Sequence, residues 1–165
     1  MVEMVSGFMT AAKVAGYIAS YRSYKFEQRK EDDKAIRSWL LVKLNDCRGK
    51  LLNTMEATDD ADIRNNSRKI IDQIDLFKTE ISAAETGQKL PFFTVGESAD
   101  VEKLVEHDAT ILEEIDKVRD ALTELELSVM EDIADSRKGL NMIRIGVSNA
   151  RNRFGERISF IKGIK

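Results

Sequence analysis

Residues 100–163 read DVEKLVEHDATILEEIDKVRDALTELELSVMEDIADSRKGLNMIRIGVSNARNRFGERISFIKG, without a proline. Apolar residues recur here at steps of three and four, the period of one helix face. Leu104, Ile111, Ile115, Val118, Leu122, Leu125 and Val129 fit one heptad frame, and Asp108 is its only polar member. A second frame, seven residues apart, runs through Ile133, Leu140, Val147, Phe154 and Ile161. A step of four from Val129 to Ile133 joins them, a stutter that relaxes a supercoil locally. The stretch therefore reads as one helix over 99–163, or as two hinged near Asp135–Gly139. Unbroken, it would run about 95 Å at ~1.5 Å per residue. Such a stripe cannot bury itself and needs partner helices.

Outward from this stretch the chain stays helical. Ser6 suits an N-cap, and residues 7–56 carry a wide apolar face: Phe8, Ala12, Ala15, Ala19 and Phe26 on one track, Val14, Ile18 and Tyr21 on a second, then Ile36, Leu40, Leu44, Cys47, Leu51 and Met55. Glu31, Asp32 and Asp33 interrupt it; one of the two aspartates caps a new helix, or the helix runs through. Tyr17, Tyr21 and Tyr24 share a face near Arg22 and Lys25. Base stacking is one reading of them, and a bundle seam with hydroxyls reaching water is the plainer one. Thr58-Asp59-Asp60-Ala61-Asp62 is a turn and capping signal. A helix over 60–85 comes next, with Ile63, Ser67, Ile70, Ile74, Phe77 and Ile81 inward and Gly87 as its stop. The connection 86–98 holds Gly87, Pro91 and Gly96. Phe92 and Phe93 within it read as a plug over the bundle end, or as a contact with a membrane or partner.

The expected fold is all-α: a single domain over 1–165, an elongated antiparallel bundle or coiled coil of three long helices (7–56, 60–85, 99–163). Kinks near Asp33 and Gly139 would make it four or five. The short middle helix leaves the stripe from Leu140 onward uncovered. That mismatch predicts a homodimer through Leu140, Val147 and Phe154.

The net charge of −3 conceals a polarised chain. Residues 97–135 hold fourteen acidic and three basic side chains, whereas 137–165 hold eight basic and one acidic. The two local charges, −11 and +7, match across an antiparallel copy, so self-association is expected to weaken as salt rises. Arg144, Arg151, Arg153, Arg157 and Lys162 are the residues expected to meet an anionic partner. Arg153 and Arg157, four apart on a helix, repel by about 0.2–0.5 kcal/mol unless something neutralises them.

Signs of catalysis are lacking. His107 is the only histidine, and no nucleophile turn accompanies it. Leu104 stands where a di-iron Glu-x-x-His motif needs glutamate. Asp59–Asp62 lacks the glycine and terminal glutamate of a calcium loop, and neither a phosphate-loop nor a dinucleotide fingerprint occurs. The single cysteine, Cys47, excludes an intrachain disulfide and a zinc cluster and sits on the apolar stripe as a buried thiol. Asp108 either fixes register or marks frayed first turns, the plainer reading. The start of the chain lacks the basic region of a signal peptide, and no apolar run reaches the ~18 residues of a spanning helix; a cytoplasmic location is expected. No catalytic residue, cofactor or metal is assigned. The expected function is a non-enzymatic interaction or scaffold protein that self-associates. The alternative is binding of nucleic acid or an anionic membrane surface through the basic C-terminal helix.

Overall fold

The computed structural model describes residues 2–84 and 98–163, with side chains from 9 to 84 and from 99 to 163. The described residues are an all-α bundle of five packed helices. These are α1 (Val2–Tyr17), α2 (Arg29–Glu56), α3 (Ala61–Ala83), α4 (Ser98–Ser128) and α5 (Ile133–Gly163), with a 3-10 turn at Phe26–Gln28 before α2. None of these helices is long and apolar enough to cross a membrane.

Two of the three expected helices are broken. The span 99–163 does not run through, nor does it hinge at Asp135–Gly139. It turns at residues 129–132, where the two heptad frames meet. Asp132 explains the position. Its carboxylate accepts the Asp135 backbone N–H at 3.0 Å and its carbonyl accepts the Ser136 N–H at 3.0 Å, so it is the N-cap of α5. Asp135 adds a negative charge to the first turn. Gly139 lies inside α5. Each half is about 46 Å long at ~1.5 Å per residue.

The span 7–56 also breaks, at residues 18–28, ahead of the expected Asp33 position. Neither aspartate caps α2: its N-cap is Gln28, which forms no side-chain cap bond. Asp32 instead reaches back from the first turn of α2. It accepts the Arg22 N–H at 3.1 Å and the Tyr24 N–H at 2.8 Å. Ser23 and Tyr24 sit at φ 55° and 58°, the left-handed region that costs non-glycine residues about 1–2 kcal/mol each. The expected helix 60–85 appears as α3. Asp60 caps it by accepting the Ile63 N–H at 2.9 Å. Its stripe, Ile63 through Ile81, is buried as expected.

Helix α2 neighbours α3 and α4, and α5 neighbours α3 and α4. Lys50 meets Glu126 towards the ends of α2 and α4, while Asp33 and Asp108 nearer their starts share Arg157, so α2 runs parallel to α4. Contacts of Asp60 with Arg137 and Glu80 with Arg151 place α3 parallel to α5. Helix α1 lies on α4, where Lys13 pairs with Glu113 at 3.0 Å, and its Tyr17 ring meets Trp39 of α2 edge-on at 5.5 Å. At the α4–α5 crossing a Cβ on Gly146 would meet Val118 Cγ2 at 2.6 Å, so only glycine allows that approach.

The fold-back removes the expected overhang. Leu140, Val147 and Phe154 are buried within the chain, Phe154 edge-on to Phe77 at 5.7 Å. They are core residues, and no free seam remains at these positions.

Candidate functional site

The second heptad frame has a companion track three residues on from Ile133, Leu140, Val147 and Phe154. It runs through Ser136, Ile143, Ala150 and Arg157, and all four are buried. Arg157 therefore occupies a core position, as Asp108 does on α4. Both are fully buried, and they meet: Arg157 Nε donates to Asp108 Oδ1 at 2.6 Å. Asp108 is neither frayed nor open.

A wider network surrounds the pair. Arg157 Nη2 lies 2.8 Å from Asp33 Oδ1 of α2 and donates to the Tyr24 hydroxyl at 2.8 Å. The Tyr24 hydroxyl donates to Asp108 Oδ2, and the Tyr21 hydroxyl reaches the same oxygen at 3.4 Å. Arg37 Nε donates to the other oxygen of Asp33 at 3.1 Å. Arg29 Nε donates to the Tyr24 carbonyl at 3.2 Å. Three buried arginines (29, 37, 157) thus face three buried aspartates (32, 33, 108). Charge balance is what makes such burial tolerable.

Burial pushes the Asp108 carboxyl above its ordinary range, while the Arg157 guanidinium and the Tyr24 hydroxyl pull it down. For Arg157, burial opposes the charge, but Asp108, Tyr24 and Asp33 outweigh it and hold the group protonated. Burial likewise raises the phenols of Tyr21 and Tyr24, so both stay neutral donors. Their hydroxyls reach Asp108, not water as expected. Each ionised or hydroxyl group is thus bound by another member of the cluster, which locks the α1–α2 segment to α4 and α5.

At the edge of this network His107 is buried, its ring tilted against Phe160 with centroids 5.7 Å apart. Among the described residues its Nδ1 has no hydrogen-bond partner, and neither do Arg153 Nε and Arg157 Nη1. Burial lowers the His107 pKa, and the nearby Arg153 charge lowers it further. Cys47 is buried as expected, its thiol pushed up to about 12 by burial. Among the described residues, no group of three or more His, Cys, Asp or Glu side chains is placed to hold a metal ion.

The other expected interaction residues scatter. Arg151 grips Glu80 of α3 through Nε at 2.9 Å and Nη2 at 2.6 Å. Arg153 meets Glu156 at 3.3 Å. Arg144 is exposed and donates to Asn141 at 2.9 Å, and Lys162 is exposed. Phe92 and Phe93 lie outside the described residues. Arg157 alone joins the network, whose members Asp33, Tyr24, Tyr21 and Arg37 the sequence reading did not unite. One signal was present: each heptad track holds a single charged core member, Asp108 in one and Arg157 in the other, with opposite signs. No protein-family model, curated protein or solved structure matches this chain.

Proposed function

We propose that this chain is a non-enzymatic helical interaction protein that associates with copies of itself. One observation carries the reading. At the turn between α4 and α5, Leu127 is 75 % exposed, Met130 79 % and Ile133 43 %. Three large apolar side chains at one turn are the kind of group that a protein contact covers. The polar groups best suited to chemistry are bound to one another in the core, which favours scaffold over catalyst. The interface of this reading is the outward turn, because Leu140, Val147 and Phe154 are internal.

The test is mass in solution across a wide concentration range, for the parent and for Leu127→Ser with Met130→Ser. The reading expects a parent that grows to dimer or beyond and a folded variant that stays monomeric. A parent that remains monomeric throughout overturns self-association. Binding of nucleic acid or an anionic membrane is the weaker reading, because much of its basic set is engaged, which leaves Arg144 and Lys162 exposed. Arg157 is buried, and Arg137, Arg151 and Arg153 each pair with carboxylates of their own chain.

A further inference from the structure

Five buried side-chain atoms lack a hydrogen-bond partner among the described residues, and three of them are nitrogens of Arg153, Arg157 and His107. These three side chains share one corner of the bundle. Arg153 and Arg157 are one turn apart on α5. Arg157 is bonded to Asp108, the chain neighbour of His107, and His107 packs on Phe160, the next turn of α5 beyond Arg157. A buried donor of a charged group left unsatisfied is costly, and such groups in native proteins call for a water or an ion as partner.

The number of donors decides between the two. Arg37 and Arg157 are balanced by Asp33 and Asp108, Arg153 is paired with Glu156, and Lys103 is exposed to solvent. The buried corner is therefore balanced with His107 neutral and carries one positive charge with it protonated. One water accepts at most two hydrogen bonds and cannot answer three donors; an oxyanion can, since guanidinium edges and an imidazolium all donate to it.

We propose that Arg153, Arg157 and His107 form a binding site for a phosphate-sized oxyanion, which takes a hydrogen bond from each of the three orphaned nitrogens. Binding favours the protonated imidazole, because an adjacent negative charge stabilises the charged form. The site is independent of self-association and engages none of the residues at the α4–α5 turn.

His107 is the only histidine, so its ring gives a single, unambiguous NMR signal. The full chain is titrated with sodium phosphate and, separately, with sodium chloride and sodium acetate at matched ionic strength. The proposal expects a His107 shift that saturates with phosphate, and a His107 titration midpoint higher in phosphate than in chloride. Arg153→Gln is expected to weaken the phosphate response about tenfold or more. Arg153→Lys, which keeps the charge but lacks Nε, is expected to do the same and serves if the glutamine variant is misfolded by circular dichroism. A His107 signal and midpoint identical in phosphate and chloride would overturn the site. So would a non-saturating response, a response to acetate alone, or folded variants that bind as the parent does.

Discussion

Arg157 shows how much one side chain can decide. Its guanidinium is fully buried among Asp108, Asp33 and Tyr24, which lie 49, 124 and 133 residues away in the chain. Removing one partner of a buried pair leaves the other charge uncompensated and costs about 3–5 kcal/mol. Arg157→Met is therefore expected to lose about that much stability in urea unfolding, and Asp108→Leu a similar amount. The double variant should lose clearly less than the sum, because neither charge is then stranded. Additive losses would mean that the pair does not act as a unit. His107 supplies a second expectation. Its pKa in the folded chain lies below the ordinary value of 6.5 because it is buried, with Arg153 adding to the effect. The unfolded chain then takes the proton first. Stability from this group is complete above about pH 6.5 and declines as pH falls from there towards the folded midpoint. Unfolding free energy measured from pH 7.5 to 5 should show that decline in the parent and a flatter profile in His107→Leu. Burial of Cys47 was plain from its place on a stripe. Arg157 was harder to place, because a long basic side chain at a seam edge and one at a seam centre differ by a single register position.

Helix type and inward faces were legible at the level of elements, since periodicity arises from local sequence. The breaks were not. The 129–132 turn contains neither glycine nor proline, whereas Gly139 draws the eye. The turn forms because Asp132 caps α5, and the stutter then marks a reversal instead of a relaxed supercoil. Asp132→Ala is expected to cost about 1 kcal/mol, the usual value of an N-cap, by denaturant melting; no measurable change would assign the turn to packing alone. The 18–28 break is less local still. Ser23 and Tyr24 adopt the left-handed region because Asp32 holds the backbone there and Arg157 holds the Tyr24 hydroxyl. No local signal encodes bonds made across so much chain. Gly146 sets the α4–α5 spacing. Alanine there gains about 1 kcal/mol of helix propensity but overpacks against Val118, which costs about 1–3 kcal/mol. A net loss of up to about 2 kcal/mol is expected for Gly146→Ala. Adding Val118→Ala should return part of it if the clash is the cause.

For the whole molecule, the fold-back at 129–132 redirects the charge argument. Within the described residues the acidic and basic stretches do lie antiparallel, but as α4 and α5 of one chain. Their attraction belongs to the fold, with Arg157 and Asp108 as its buried centre. The outer surface is different in character. The end of the bundle that carries Leu127, Met130 and Ile133 is built from residues 53–64 and 124–138, which hold nine carboxylates and three basic side chains. Arg137 is one of those three and is already held by Asp60 at 2.8 Å and Asp62 at 3.4 Å. Two copies meeting through this end bring like charges together around an apolar centre. Salt screens that repulsion, with a Debye length near 10 Å at about 0.1 M, and leaves apolar burial intact. Self-association through this turn should therefore strengthen from about 0.05 to 0.5 M sodium chloride, the reverse of the trend expected from paired acidic and basic halves. Sedimentation equilibrium at both salt concentrations reads the result directly. Association that weakens with salt would place the contact away from this turn, on a surface where opposite charges meet. The Leu127→Ser, Met130→Ser variant would then associate as well as the parent.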